Sequence, residues 1–162
     1  MKIGVLSDTH GFINPNVFSI FDGVELILHA GDIGSEDIIT SLETLAPVKA
    51  IHGNMDTFPL STRYLQILTL EIHEVAICMI HQFISVTNSV IQNAALKLPN
   101  NKIDLLIYGH THQPKLERVD GVLLFNPGSA GKRRFSLRPT VGLLTILNNG
   151  KFIPEIIYLE EY

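Results

Sequence analysis

The sequence predicts an α/β fold in which two sheets pack face to face with helices outside them. Three observations predict it. Residues 1–56 alternate short apolar runs with stretches of helical spacing, in the order β-α-β-α-β, and a polar group follows each strand-like run. That pattern belongs to a parallel sheet. Further along, paired strand-like runs flank Asp120-Gly121 and Asn149-Gly150, dipeptides suited to tight antiparallel hairpins. Finally, 162 residues with 46% hydrophobic and 17% charged content fit one globular domain, residues 1–162, with its own core.

Taken in order, Lys2 to Leu6 reads as a buried first strand that runs into Ser7-Asp8-Thr9-His10-Gly11. Residues i and i+2 of an extended chain project to the same side. Asp8 and His10 are therefore expected to hold one object at the carboxyl edge of the sheet, where open α/β sheets bind ligands. Asn14-Pro15 reads as an N-cap with proline at the first helical position, and Val17, Phe18 and Phe21 share a face of that helix. Glu25 to His29 is a second strand, ending in Ala30-Gly31-Asp32. Ser35 caps the next helix, Glu36 and Asp37 occupy its first turn, and Ile38, Ile39, Leu42 and Leu45 form its apolar face. Val48 to Ile51 is a third strand, ending in His52-Gly53-Asn54-Met55-Asp56.

Leu65 to Ile72 and Val75 to Ile80 read as strands about a His73-Glu74 turn, the second ending in His81. Val90, Ile91, Ala94, Ala95 and Leu98 place a helix over Thr87 to Leu98, and Asp104 to Tyr108 is a strand ending in Gly109-His110-Thr111-His112. The remainder reads as antiparallel: Leu116 to Val119 with Val122 to Asn126, then Val141 to Leu147 with Phe152 to Leu159.

Composition narrows the function. No apolar run approaches a membrane span. Met1 leads directly into a strand without a basic n-region, which sets an expectation of the cytoplasm. The single Cys78 lies inside an apolar run and reads as a small buried hydrophobe. A formal charge of −4 offers no general attraction to nucleic acid or anionic membrane. Homo-oligomer formation stays open.

The polar residues after predicted strands are Asp8, His10, Asp32, Asn54, His81, His110 and His112. They are oxygen and imidazole donors with no thiolate, a set that suits Mn, Fe, Zn or Ni. Seven exceed one tetrahedral site. They suffice for two metals about 3.5–4 Å apart, the arrangement used for in-line displacement at phosphorus. A carboxylate must then bridge, and Asp32, after a glycine on a central strand, is the candidate. Taken singly, each residue also admits a structural reading: Asp8 as a turn cap, Gly31-Asp32 as a turn pair, His81 as a buried histidine bonded to backbone. His29, His52 and His73 lie within strands or a turn and read as structural or solvent-facing.

Ser7-Asp8-Thr9-His10-Gly11, Gly31-Asp32, Gly53-Asn54-Met55-Asp56, Gly109-His110-Thr111-His112 and Asn126-Pro127-Gly128-Ser129 resemble, in order, the motifs of calcineurin-like metallophosphoesterases, and more closely the small YfcE-type phosphodiesterases. The resemblance implies a four-layer α/β/β/α sandwich of two mixed β-sheets. It implies one metal held by Asp8, His10, Asp32 and His112, and another by Asp32, Asn54, His81 and His110. Asp32, Asn54 and His110 are the catalytic candidates, and Asn126 to Ser129 would shape the floor behind the site. The implied cofactors are two divalent transition-metal ions, Mn²⁺ foremost, with Ni²⁺, Fe²⁺ or Zn²⁺ as alternatives. The implied reaction is hydrolysis of a small phosphoester, foremost a phosphodiester, by a water bridging the metals.

Two departures stand out. The family usually has His-Gly-His where this chain has His81-Gln82-Phe83, and Met55 stands where related nucleases and protein phosphatases carry a proton-donating histidine. The first departure gives weight to a rival reading, a scaffold like the retromer subunit Vps29, which has this fold with a degraded site. A DNA nuclease is a second rival, opposed by the acidic charge. Lys132, Arg133, Arg134 and Arg138 read either as a solvated cluster or as a phosphate clamp.

Overall fold

The computed structural model describes residues 1–134 and 136–160. Its first sheet has the order β10-β9-β1-β2-β3, built from β1 (Lys2–Leu6), β2 (Leu26–His29), β3 (Val48–Ala50), β9 (Thr140–Ile146) and β10 (Phe152–Tyr158). The second has the order β4-β5-β6-β8-β7, built from β4 (Ile67–Ile72), β5 (Val75–Ile80), β6 (Leu105–Ile107), β7 (Lys115–Val119) and β8 (Val122–Asn126). β1, β2 and β3 are parallel, as their alternation with helices requires. β9 and β10 add antiparallel to the other edge of β1. Pro154, which has no N–H to give, lies in the edge strand β10.

Side-chain alternation explains the layering. Ile3 and Val5 of β1 face Ile77 and Met79 of β5 in a core between the sheets, with Phe125 of β8. Leu6 and Ile27 point outward under the helices α1 (Asn16–Ile20) and α2 (Glu36–Glu43), where Phe21, Ile39 and Leu42 cover them. Ala76 and Cys78 point outward from the second sheet beneath Ile91 and Ala94 of a later helix, Ser89–Ala95. The result is an α/β/β/α sandwich. The Cys78 thiol is fully buried, and burial pushes its pKa up to about 12, so it is packing and not a nucleophile.

Several local expectations shift. The first helix starts later than Asn14-Pro15 suggests: Pro15 itself takes the N-cap position, and the Asn14 side chain accepts from Asn16 N. A short helix α3 (Leu60–Arg63) was not predicted, having only one buried side chain to mark it. The helix expected over 87–98 is α4, Ser89–Ala95, because the Asn88 side chain caps it by accepting from Val90 N. The expectation that the later strands are antiparallel holds within each hairpin. It fails for β8, which runs parallel to β6, as β6 does to β5. His73 and Glu74 make their turn with φ of +45° and +68°, the twist that suits a two-residue hairpin.

Candidate metal centre

Because β1, β2 and β3 are parallel, their carboxyl ends lie on one edge. The same holds for β5 and β6 in the facing sheet. The loops after these five strands carry all seven donor residues, and they are stitched to one another through backbone. Asp8 N, His10 N and Gly11 N donate to Gly31 O, Asp32 O and Ile33 O at 3.0, 3.0 and 2.8 Å. Gly109 N donates to His81 O at 3.1 Å, and His110 N donates to Asp8 Oδ2 at 3.1 Å across the sheets.

The loops are not extended. Asp8, His10, Asp32, His110 and His112 have φ of +55°, +47°, +52°, +68° and +58°. The expectation that Asp8 and His10 meet by strand alternation is therefore corrected: they converge from left-handed backbone. Asp and His tolerate this region better than most residues, yet each such position costs energy and persists only where the surroundings enforce it. The other described non-glycine residues with positive φ lie in turns at 73–74, 100–101 and 120. Gly53 and Gly109 answer a different demand. A Cβ on Gly53 would collide with the Asp32 carboxylate, and one on Gly109 with Ser7 Oγ and Asp8 Oδ2.

Five of the predicted donors converge. Asp8, His10 and His112 form one group and Asp8, Asp32 and His81 another, with each group's donor atoms within 4.8 Å of one another. His112 Nε2 lies 3.2 Å from Asp8 Oδ1, and His10 Nε2 lies 3.8 Å from both Asp8 Oδ1 and Asp32 Oδ2. His81 Nε2 approaches Asp32 Oδ2 at 3.3 Å, a charge contact without hydrogen-bond alignment. His10 Nε2 and His112 Nε2 face each other at 3.3 Å.

These residues fit a cation. Asp8 Oδ1 and His81 Nε2 are buried without hydrogen-bond partners, a costly condition unless something else satisfies them. His81 Nδ1 sits 2.7 Å from Ala30 O. As donor to that carbonyl, it leaves an Nε2 lone pair facing two carboxylates, the tautomer that binds metal. Burial alone would lower the His81 pKa, but the Asp32 and Asp8 carboxylates and the Ala30 carbonyl outweigh it and raise it. Likewise burial would raise the Asp32 pKa, but His81, the Met55 N–H and His10 hold it below the usual carboxylate range. A field that favours a proton here favours any cation. At His10, burial and the Arg134 guanidinium hold the pKa below its ordinary value against both carboxylates.

The other two donors stand at the rim. Asn54 and His110 are exposed, and Asn54 Oδ1 lies 2.9 Å from His110 Nδ1. Gln82 Nε2 donates to the same oxygen at 3.2 Å. Met55 is 63% exposed. Asp56 is buried, and its carboxylate accepts from Ile33 N, Gly34 N and Gly53 N at 3.1, 2.9 and 2.8 Å. It braces two loops, Oδ2 accepting from Ile33 and Gly53 and Oδ1 from Gly34.

Sequence reasoning left other supports unseen. Gly31 N donates to His29 Nδ1, so His29 Nε2 carries the proton and donates to Thr9 Oγ1 at 2.9 Å. Thr9 in turn donates to Ile33 O. His29 is thus structural, as read from the sequence, but its role is to tie together the loops bearing Asp8, His10 and Asp32. Asn126 Nδ2 holds Gly109 O and Thr111 Oγ1 at 3.0 Å each, and Ser129 Oγ donates to Asp8 O at 2.8 Å. The loop at 126–129 lies behind the site.

Comparison with known proteins gives three findings. The model of the calcineurin-like phosphoesterase superfamily domain matches residues 1–149. A probable metallophosphoesterase of Methanothermobacter thermautotrophicus is 41% identical over 97% of this chain and 92% of its own length, and a phosphodiesterase of Methanocaldococcus jannaschii is 35% identical over 89% and 92%. The crystal structure of Vps29 from Chaetomium thermophilum superposes with a TM-score of 0.75 at 18% identity, covering 98% of this chain and 97% of its own, a likeness of fold alone.

Proposed function

The chain belongs to the calcineurin-like phosphoesterase superfamily, and from that premise we propose that it is a phosphodiesterase working through two divalent transition metals, Mn²⁺ foremost. The observation that carries this reading is the convergence of Asp8, His10, Asp32, His81 and His112 around two buried atoms with no hydrogen-bond partner. One cation would be held by Asp8, His10, Asp32 and His112. The second would be held by Asp32, His81, Asn54 and His110, once Asn54 Oδ1 turns from its hydrogen bonds to the ion. Asp32 Oδ2 lies 3.8 Å from His10 Nε2 and 3.3 Å from His81 Nε2, which supports a bridging role, and Asp8 Oδ1 has the same two neighbours at 3.8 and 3.9 Å.

When bound, such ions supply charge neutralisation at the phosphoryl oxygens and an acidified water. The chain's own part is to orient. Left-handed backbone, the Ala30 carbonyl and the Asp56 carboxylate hold the donors before any substrate arrives, so little reorganisation is left for the reaction. Met55 cannot donate a proton to the leaving group, and the Asp56 carboxylate accepts three backbone N–H groups. Substrates whose alcohol leaves unaided are therefore favoured. No helix among the described residues is long and apolar enough to cross a membrane.

The test is elemental analysis of the protein after Mn²⁺ loading and desalting, with about two ions expected per chain. A stoichiometry near zero would remove the enzyme reading and leave a scaffold of the Vps29 kind.

A further inference from the structure

The two flanks of the cluster differ in charge. On the His10 side, a cavity of about 450 Å³ lies between the Thr9–Phe12 loop and Lys132, Arg133 and Arg134. Its volume falls in the range of small-molecule sites, about 300–1,000 Å³. Its wall presents three cations and no carboxylate. Lys132 Nζ lies 5.3 Å over the Phe12 ring, and neither Lys132 nor Arg134 has a carboxylate partner among the described residues. On the other flank, a cleft of about 250 Å³ runs past Asn54, His81 and Gln82 to Ile67, Ile84 and Val90 and carries no lysine, arginine or carboxylate. Lys132, Arg133 and Arg134 are exposed, but they are clustered along one cavity on a chain of net charge −4.

We propose that the cationic cavity receives a second phosphate of the substrate. The substrate class is then a small phosphodiester with one ester arm ending in a phosphomonoester, seated against Lys132 and Arg134, and an uncharged arm lying in the amide-lined cleft. Arginine offers a planar fork matched to two phosphate oxygens, and lysine adds a mobile point charge. His10 shares the wall of the cavity with both, so a phosphate there lies beside the cluster that would hold the scissile group. This assignment rests on the phosphodiesterase reading above.

The experiment compares thymidine 5′-(p-nitrophenyl phosphate) with the same ester carrying a 3′-phosphate, using the Mn²⁺-loaded protein and following p-nitrophenolate. The leaving group is identical, so the ratio of kcat/KM values reads the distant phosphate alone. The ratio is expected to be about tenfold at low salt, to fall as ionic strength rises, and to approach one in Arg134→Gln and Lys132→Gln, whatever the absolute rates. A wild-type ratio near one, or a ratio the variants leave intact, overturns the proposal. So does a preference that grows with further nucleotides on the 3′ arm, which would describe a nucleic-acid track. Calorimetric binding of thymidine 3′,5′-bisphosphate against thymidine 5′-monophosphate separates the two readings. If neither ester is hydrolysed, tighter binding of the bisphosphate that depends on Arg134 retains the phosphate site and rejects the phosphodiesterase. Equal binding rejects the site.

Discussion

Asp8, Asp32 and His81 lie buried against backbone that other groups hold in place, whereas Asn54, His110 and Gln82 lie exposed and bond to one another. The first set has buried atoms that no protein group satisfies, so its geometry is set by the fold before a ligand arrives. The second satisfies itself, and a ligand there must displace hydrogen bonds among side chains that water can replace at little cost. One half of the centre is preorganised and the other adapts. Of the departures from the family pattern, Gln82 falls on the adaptable half, while Phe83 packs beside it on Tyr108.

The largest effect expected from this contrast is at Asp32. Asp32→Ala removes the oxygen that faces both His10 and His81 and should lower kcat on the order of 10³-fold or more, since a metal centre contributes several kcal/mol to the transition state. Asn54→Ala should cost far less, about 10–100-fold, the range seen when groups supporting a metal centre are lost. Steady-state rates, with folding checked by circular dichroism, decide between them. Equal losses would erase the distinction between the halves.

A second test probes the rim, where proton donation would have to come from. Aryl phosphodiesters such as bis-p-nitrophenyl phosphate should outpace alkyl diesters by at least about 10²–10⁴-fold, the contribution a positioned general acid would otherwise make. A flat dependence on leaving-group acidity, with chemistry rate-limiting, would reveal a donor on the exposed half.

His29 sharpens the buried side. Burial pushes its pKa down to about 4 from 6.5, so between those values the unfolded chain takes up a proton that the folded chain does not. The stability this represents is fully present above pH 6.5 and is lost as pH falls toward 4. A gap of about 2.5 units amounts to roughly 3 kcal/mol. Urea unfolding of the metal-free protein at pH 7 and pH 4.5 should show that loss in the wild type and much less of it in His29→Gln. Parallel losses in both proteins would mean that His29 titrates freely.

The smallest effect belongs to Gln82→Gly with Phe83→His. Freeing Asn54 Oδ1 from the Gln82 amide should tighten binding of the second ion by less than about tenfold, because an exposed hydrogen bond is worth only about 1 kcal/mol. Phe83 stacks at 5.1 Å on Tyr108, so the double variant should also lose some stability. Competition with a chelator measures the affinity. A weaker second ion would show that the rim depends on Gln82.

Much of this centre was legible in the chain itself. Donor side chains follow strands in order, and parallel strands end on one edge, so Asp8, Asp32 and the His110–His112 pair could be assigned to one place from patterns a few residues long. Hairpin dipeptides likewise marked β7–β8 and β9–β10. Such signals are local: a turn says that two strands pair, but not which sheet receives them. That β8 runs parallel to β6 while β9 closes the far side of β1 follows from burying β8 and β9, the apolar strands of the two hairpins, which involves the whole core. Only the tertiary structure turned Asp8 and His10 into left-handed backbone, because hydrogen bonds to residues 31–33 enforce it. The same holds for the Gln82–Asn54 contact, the His29–Thr9 tie and the meeting of Arg134 with the His10 loop. Each joins residues far apart in the chain, and their pairing is decided by packing, which no local pattern encodes.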